Sequence, residues 1–136
     1  MSKNHLAVVW IFLLLGCGSS PPASHPMKLA NPASVHCGEV GGNLRIETLG
    51  NRGQIGVCYF DQNRQCEEWA LFRNECPVGG LSVQGLPTSG ARYCVIRGGQ
   101  YEMTQAASGN LPEQGRCVLP GGTICDVAVL WQGSCG

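Results

Sequence analysis

Eight of the nine cysteines in this chain fall into two sets of four with nearly the same spacing. Cys37, Cys58, Cys66 and Cys76 are separated by 20, 7 and 9 residues, and Cys94, Cys117, Cys125 and Cys135 by 22, 7 and 9. The match extends past cysteine: Gly41-Gly42 returns as Gly98-Gly99, Gly56 as Gly115, and Leu71 as Leu130. The two extra residues of the second set fall near Ala107 to Pro112, where a hairpin loop absorbs them. The chain is an internal duplication. Each unit has about 45 residues, near the size at which a hydrophobic core alone rarely suffices. Four cysteines per unit then read as two disulfides, each contributing roughly 2–4 kcal/mol. Structural zinc asks for close cysteine pairs two to four residues apart, and the shortest gap here is seven. No Cys-x-x-Cys redox motif occurs. No metal and no cofactor are expected.

The ninth cysteine, Cys17, belongs to an N-terminal address. Lys3 supplies a positive start, and Leu6 to Leu15 is an unbroken apolar run of ten residues. As a helix this run is about 15 Å long, half of a bilayer core, which suits a signal segment and not a membrane span. It ends in Leu14-Leu15-Gly16-Cys17, which resembles a bacterial lipobox, so Cys17 is expected to carry a diacylglycerol and palmitate-type chains. Residues 1–16 are then the lipoprotein signal and 17–30 the lipidated N-terminus and a flexible tether, rich in small residues and proline. Gly18 after the cysteine points to the outer membrane, facing the periplasm or the cell surface. Charged residues are 13% of the chain and the net charge is zero, which removes the electrostatic footprint of a nucleic-acid binder.

Within the first unit, Asn31-Pro32 reads as an N-cap followed by proline at the first helical position. The helix runs to about Val40 and stops at Gly41-Gly42, with Ala33, His36, Cys37 and Val40 facing inward. Leu44 to Thr48 alternates as a strand with Leu44 and Ile46 buried, Asn51-Arg52-Gly53 turns, and Ile55 to Phe60 returns. Cys58 and Phe60 match Cys117 and Leu119, whereas Val57 matches Arg116, so the cysteine face is the inner one. Asp61 to Arg64 is a turn. Glu67 to Arg73 closes the unit as a short helix, with solvated acids in its first turn and Trp69 and Phe72 packing into the core. The unit is helix–β-hairpin–helix, in the α+β class.

This layout suggests the bonds Cys37–Cys58, Cys66–Cys76, Cys94–Cys117 and Cys125–Cys135. A helix packed over its hairpin joins the first and second cysteines. The last two can meet only if the closing helix ends near Phe72 and the chain reverses at Asn74, whose counterpart is Gly133. The crossed arrangement, Cys37–Cys66 with Cys58–Cys76, is the rival.

No residue set reads as a catalytic site. His36 beside Cys37 is not a nucleophile pair: helical neighbours point about 100° apart, and the second copy has Tyr93 there. Glu67 and Glu68 are adjacent on a helix start, unlike a working acid–base pair. Two exposed hairpin loops, 49–54 with Arg52 and 61–65 with Arg64, are candidate binding loops.

The stretches Ala30-Asn31-Pro32-Ala33-Ser34-Val35-His36-Cys37, Gly53-Gln54-Ile55-Gly56-Val57-Cys58 and Cys66-Glu67-Glu68-Trp69-Ala70-Leu71-Phe72-Arg73 resemble a bacterial family of unknown function, the one numbered 333, whose members are often labelled hemolysins. The second unit keeps the cysteine and glycine frame but has Thr88-Ser89 for Asn31-Pro32 and lacks the Trp-Ala-Leu-Phe-Arg run. The resemblance implies small exported proteins, often lipoproteins, without established catalytic residues. Some members carry only the first pair of cysteines, which agrees with Cys37–Cys58. The hemolysin label finds no support in the residues, because these short segments cannot span a bilayer.

The expectation is therefore two tandem disulfide-stapled modules, 31–77 and 91–136, joined by a linker at 78–90. They form a lipid-anchored envelope protein that binds or scaffolds an envelope partner and is not an enzyme. The alternative is a double-headed protease inhibitor presenting Arg52 or Arg64 on a braced loop.

Overall fold

A computed structural model describes residues 29–136 together with Gly18. The expected signal segment, Cys17 and most of the tether lie outside the described residues. The first unit begins at helix α1 (Pro32–Glu39), whose N-cap Asn31 accepts the Ala33 N–H and whose first position is proline. Gly41, at φ +83°, ends it in the left-handed conformation that a residue without Cβ adopts freely. Strands β1 (Asn43–Thr48), β2 (Gln54–Tyr59) and β3 (Arg64–Glu67) follow, then helix α2 (Glu68–Phe72) and a two-residue strand β4 (Leu81–Ser82). The second unit repeats the order as α3 (Ser89–Ile96), β5 (Gln100–Gln105), β6 (Gln114–Val118), β7 (Ile124–Asp126) and α4 (Val127–Trp131). The sheets run β1-β2-β3-β4 and β5-β6-β7, antiparallel throughout. The protein is α+β.

Each unit thus has a third strand where the sequence suggests a hairpin, and β4 adds a fourth to the first sheet. The third strand is four residues of Arg-Gln-Cys-Glu in the first unit, too short and too polar to show a period. Its partner defines it: Cys66 lies opposite Cys58, and Cys125 opposite Cys117. Arg64 accordingly opens a strand, and the turn before it is one 3₁₀ turn, Asp61–Asn63. The second unit's first helix starts at Ser89, capped by Thr88, and Leu81–Ser82 pairs with β3, so much of the stretch 78–90 is engaged in structure.

The disulfides join Cys37 to Cys58, Cys66 to Cys76, Cys94 to Cys117 and Cys125 to Cys135, with Cα separations of 5.8, 5.8, 5.6 and 6.0 Å. Asn74 (φ 60°) and Gly133 (φ 68°) make the reversals that bring the last cysteine of each unit back. The second glycine of each Gly-Gly pair has its own reason. A Cβ on Gly42 would lie 2.2 Å from Cys58 Sγ, and one on Gly99 would lie 2.5 Å from Cys117 Sγ. The first glycine turns the chain; the second makes room for the disulfide.

Alternation gives the first sheet two faces. Leu44, Gly56, Cys58 and Cys66 face α1 and α2, forming a core with Cys37, Ala70, Leu71 and Cys76. Ile46 shares this face but is 58% exposed, although α1 packs on β1 and β2 and α2 on β2 and β3. The other face is not open to water. Val57 is fully buried in one cluster with Tyr93, Ile96 and Leu130 of the second unit, with Leu49, Ile55 and Tyr59 at its border. The two units therefore stack as helices, sheet, helices, sheet, with α3 and α4 between the sheets. Matching Val57 to Arg116 misled on burial, since the two copies meet different neighbours on that face.

Three contacts fix the stack. Arg92 on α3 gives both terminal nitrogens to Glu47, at 2.7 and 2.8 Å, and its Nε donates to Gln65 at 2.7 Å. Tyr59 donates its hydroxyl to the same Glu47. The Gly50 N–H donates to the Trp131 carbonyl at 3.1 Å, docking the β1–β2 turn on the end of α4. Gly98 presses so closely on the end of the first unit that a Cβ there would lie 1.9 Å from the Glu75 carbonyl oxygen.

Candidate functional site

Helix α2 has only five residues, and the disulfide on either side decides its orientation. Ala70 and Leu71 are buried against Cys66 and Cys76. Steps of about 100° then turn Trp69 and Phe72 outward, where they are 39% and 42% exposed. The expected core packing of Trp69 and Phe72 is therefore corrected: they form a surface. Their rings meet edge to face at 5.8 Å, and Phe72 meets His36 of α1 in the same manner at 5.7 Å. His36 is half-buried under Phe72 and does not point into the core. Val35, 45% exposed, extends the run along α1. Arg73 lies at its end, paired with Glu75 at 2.9 Å, an exposed pair that contributes little. In the second unit Phe72 is matched by Trp131, which is half-buried and stacks edge to face on Tyr93 at 5.9 Å. One aromatic edge contact between the first and last helices is thus kept in both copies. It is more exposed in the first, where Phe72 is 42% exposed, than in the second, where Trp131 is half-buried and Tyr93 is buried.

The two acids at the start of α2 are not solvated. Glu67 is buried and accepts the N–H groups of Trp69 and Ala70 at 3.0 and 2.9 Å, so it caps the helix and stands outside it. Asp126 does the same for Ala128 and Val129. Glu68 is buried over Gly56, where a Cβ would lie 2.4 Å from its carboxyl carbon. It accepts from the Ser34 hydroxyl at 2.5 Å and from the Asn31 amide at 3.1 Å, tying the start of α1 to α2. The second copy has Val127, Ala91 and Thr88 at these three places, and the ring of Tyr101 fills the space over Gly115. Tyr101 donates to Glu113, and its hydroxyl is pushed up to about 12, by burial first and then by that bond.

The clamp of Glu47, Tyr59 and Arg92 was invisible as a site in the sequence. Arg92 holds the Glu47 carboxyl below its ordinary value through their hydrogen bonds, against the opposing effect of burial. Its signal was asymmetry. Arg92 stands where the first copy has Val35, and β5 offers only Thr104 and Gln105 where β1 has Glu47. Charge kept in one copy alone marks a contact that only one copy makes.

Arg52 sits at φ 70° in a tight turn, its N–H donating to the Leu49 carbonyl at 3.0 Å. Its loop is anchored through Leu49 and Gly50 to the second unit. Arg64 is exposed at its tip, but its Nε donates to the carbonyls of Gly79 and Gly80 at 3.1 and 2.9 Å. These two arginines are not brought together with the aromatic run. Cys17 lies outside the described residues. A groove of about 550 Å³ lies in the second unit between Gly90, Pro112, Gly115, Val127 and Trp131. Among the described residues no group of three or more His, Cys, Asp or Glu side chains is placed to hold a metal, and no helix is long and apolar enough to cross a membrane.

Two curated relatives are the uncharacterized protein YoaF of Escherichia coli K12 and its namesake in Shigella flexneri. Each is 37% identical over 73 residues, covering 51% of this chain and 86% of the relative. No solved structure matches the chain significantly. The pattern of one family matches twice, over residues 28–75 and 85–134, with the boundary between copies in the same stretch that separates the two structural units. The chain belongs to the family described as Domain of unknown function (DUF333), of which it carries two tandem copies.

Proposed function

We propose that this chain is a lipid-anchored protein of the bacterial cell envelope, held at Cys17, whose stacked modules bind or scaffold another protein without catalysing a reaction. The observation that carries the binding reading is the aromatic run His36–Phe72–Trp69, with Phe72 and Trp69 exposed, mounted on a rigid disulfide-braced layer. Aromatic rings on a scaffold that cannot rearrange bind at low ordering cost. Four disulfides suit an oxidising compartment outside the cytoplasm. The buried acids are each engaged in holding the fold: Glu67 in a cap, Glu68 between two helices. The inhibitor alternative asks for free, extended loops, and the loops of Arg52 and Arg64 are bound back onto the protein.

The anchor is tested by replacing Cys17 with serine and fractionating cells. The variant should leave the membrane fraction for the soluble envelope fraction. Equal retention of variant and parent would remove the anchor. The binding reading is tested by in-cell crosslinking from positions 69 and 72, compared with the exposed positions 84 and 85 in the stretch that joins the two units. Equal yields from both pairs of sites would refute it.

A further inference from the structure

The two units stack head to tail: the helix face of the second covers the sheet face of the first. Such a contact is heterologous, and it leaves one unused copy of each face at the two ends of the molecule. The free helix face is α1–α2, and the free sheet face is the outer side of β5-β6-β7. Each is the repeat equivalent of a face already seen in contact, so the internal interface shows which positions would meet.

Those positions have changed together. Inside the molecule Arg92 meets Gln65 and Glu47, a polar contact. The equivalent ends carry Val35 on the helix face and Ile124 on the sheet face, apolar and 45% and 60% exposed. Inside, Ile96 and Val57 share a buried cluster. The equivalent ends carry Glu39 and Arg116, opposite charges that are both exposed, with Arg116 also paired to Glu102 of its own sheet at 2.7 Å. Polar has become apolar at the places of Arg92 and Gln65, while the place of Glu47 keeps the polar Thr104 and Gln105, and apolar has become oppositely charged on both sides of the other contact. Gly41 has nothing within 4 Å of its Cβ position, whereas its equivalent Gly98 is pressed against Glu75, so the free face keeps room for a neighbour.

We propose that a second copy of this chain docks head to tail on the first, the α1–α2 face of one taking the outer β5-β6-β7 face of the next. Val35 then meets Ile124, and Glu39 meets Arg116, in the places held internally by Arg92 with Gln65 and by Ile96 with Val57. The proposal deepens the binding reading above by naming the occupant of its aromatic face. Phe72 and His36 become covered as Trp131 and Tyr93 are covered within the chain.

The test uses the full exported chain with Cys17→Ser, so that no lipid can drive association, in sedimentation velocity over a range of concentrations. Association beyond a dimer is expected, because each added copy again presents one face of each kind. Glu39→Arg and Arg116→Glu should each weaken it by on the order of tenfold or more, since either change sets like charges together. An equimolar mixture of the two variants should restore it, as the reversed face of one meets the reversed face of the other. Mass spectrometry under non-reducing conditions checks that four disulfides are intact in each variant. A monomer at every concentration up to about 1 mM would overturn the proposal. So would association that neither single variant weakens, or a mixture that does not recover. Retention through Cys17 and crosslinking to a different protein are read separately, so failure here is distinguishable from failure of the binding reading.

Discussion

Truncating one valine distinguishes a shared core from two independent beads. Val57 is fully buried in the cluster that also holds Tyr93, Ile96 and Leu130, whereas its repeat equivalent Arg116 is half-exposed and pairs with Glu102. Val57→Ala removes two methyl groups, about 1.6 kcal/mol at roughly 0.8 kcal/mol each, and adds a cavity contribution for a total of about 2–3 kcal/mol. Arg116→Ala removes an exposed ion pair and should cost less than about 1 kcal/mol. For a domain near 100 residues each kcal/mol moves the melting point by about 4 °C or slightly more, so Val57→Ala should lower it by about 8–12 °C. The assay is thermal unfolding under non-reducing conditions, followed by tryptophan fluorescence. Trp69 reports the first unit and Trp131 the second, so single-tryptophan variants read each separately. Both transitions should coincide in the parent, and both should shift in Val57→Ala. Equal costs for the two truncations within about 0.5 kcal/mol, or a Trp131 transition that does not move with Val57→Ala, would refute the shared core.

The Glu47 carboxyl is held below its ordinary 4.5, chiefly by hydrogen bonds from Arg92, so the clamp's stabilisation is present above that ordinary value and is lost as pH falls through the lowered folded value. Glu47→Gln should therefore narrow its stability gap to the parent only below about pH 4.5; a gap independent of pH in acid titration would contradict this. Gly42→Ala and Gly99→Ala each push a methyl into a disulfide and should cost about 1–3 kcal/mol or leave free thiols, detectable by thiol titration of exported protein. Gly38→Ala, in α1 with open space around it, should instead stabilise by about 0.5–1 kcal/mol in the same unfolding assay.

Much of each unit was legible because its signals are local. Asn31-Pro32 gives the start of α1, Gly41 its end, and the need to bring Cys76 back to Cys66 gives the reversal at Asn74. The third strands were not legible, since Arg64–Glu67 and Ile124–Asp126 owe their strand state to a partner and carry no period of their own. Orientation of α2 was also missed. Trp69, Ala70, Leu71 and Phe72 are all apolar, so periodicity gives no preferred side, and the disulfide bracket settles it in favour of the two smaller side chains. The candidate site lies in that gap: its residues were visible, and their exposure was not.

Duplication makes this failure instructive. Many positions that face within a unit have the same environment twice and have stayed alike, as the cysteines, Gly42 and Gly99, and Leu71 and Leu130 have, although Glu68 with Ser34 and Asn31 gives way to Val127 with Ala91 and Thr88. Positions that face between units have two different environments, because a head-to-tail pair has one joined contact and two free ends. There the copies differ, as Val57 does from Arg116 and Arg92 from Val35. A difference between copies on such a face does not say whether that face is wet. The distinction comes from pairs: where both sides of one contact change to another matched chemistry, as Val35 with Ile124 and Glu39 with Arg116 do, the changed pair still describes a contact. A sheet end meant only to stop the stack would need no apolar Ile124, and a helix end meant only for water would need neither Val35 nor Phe72.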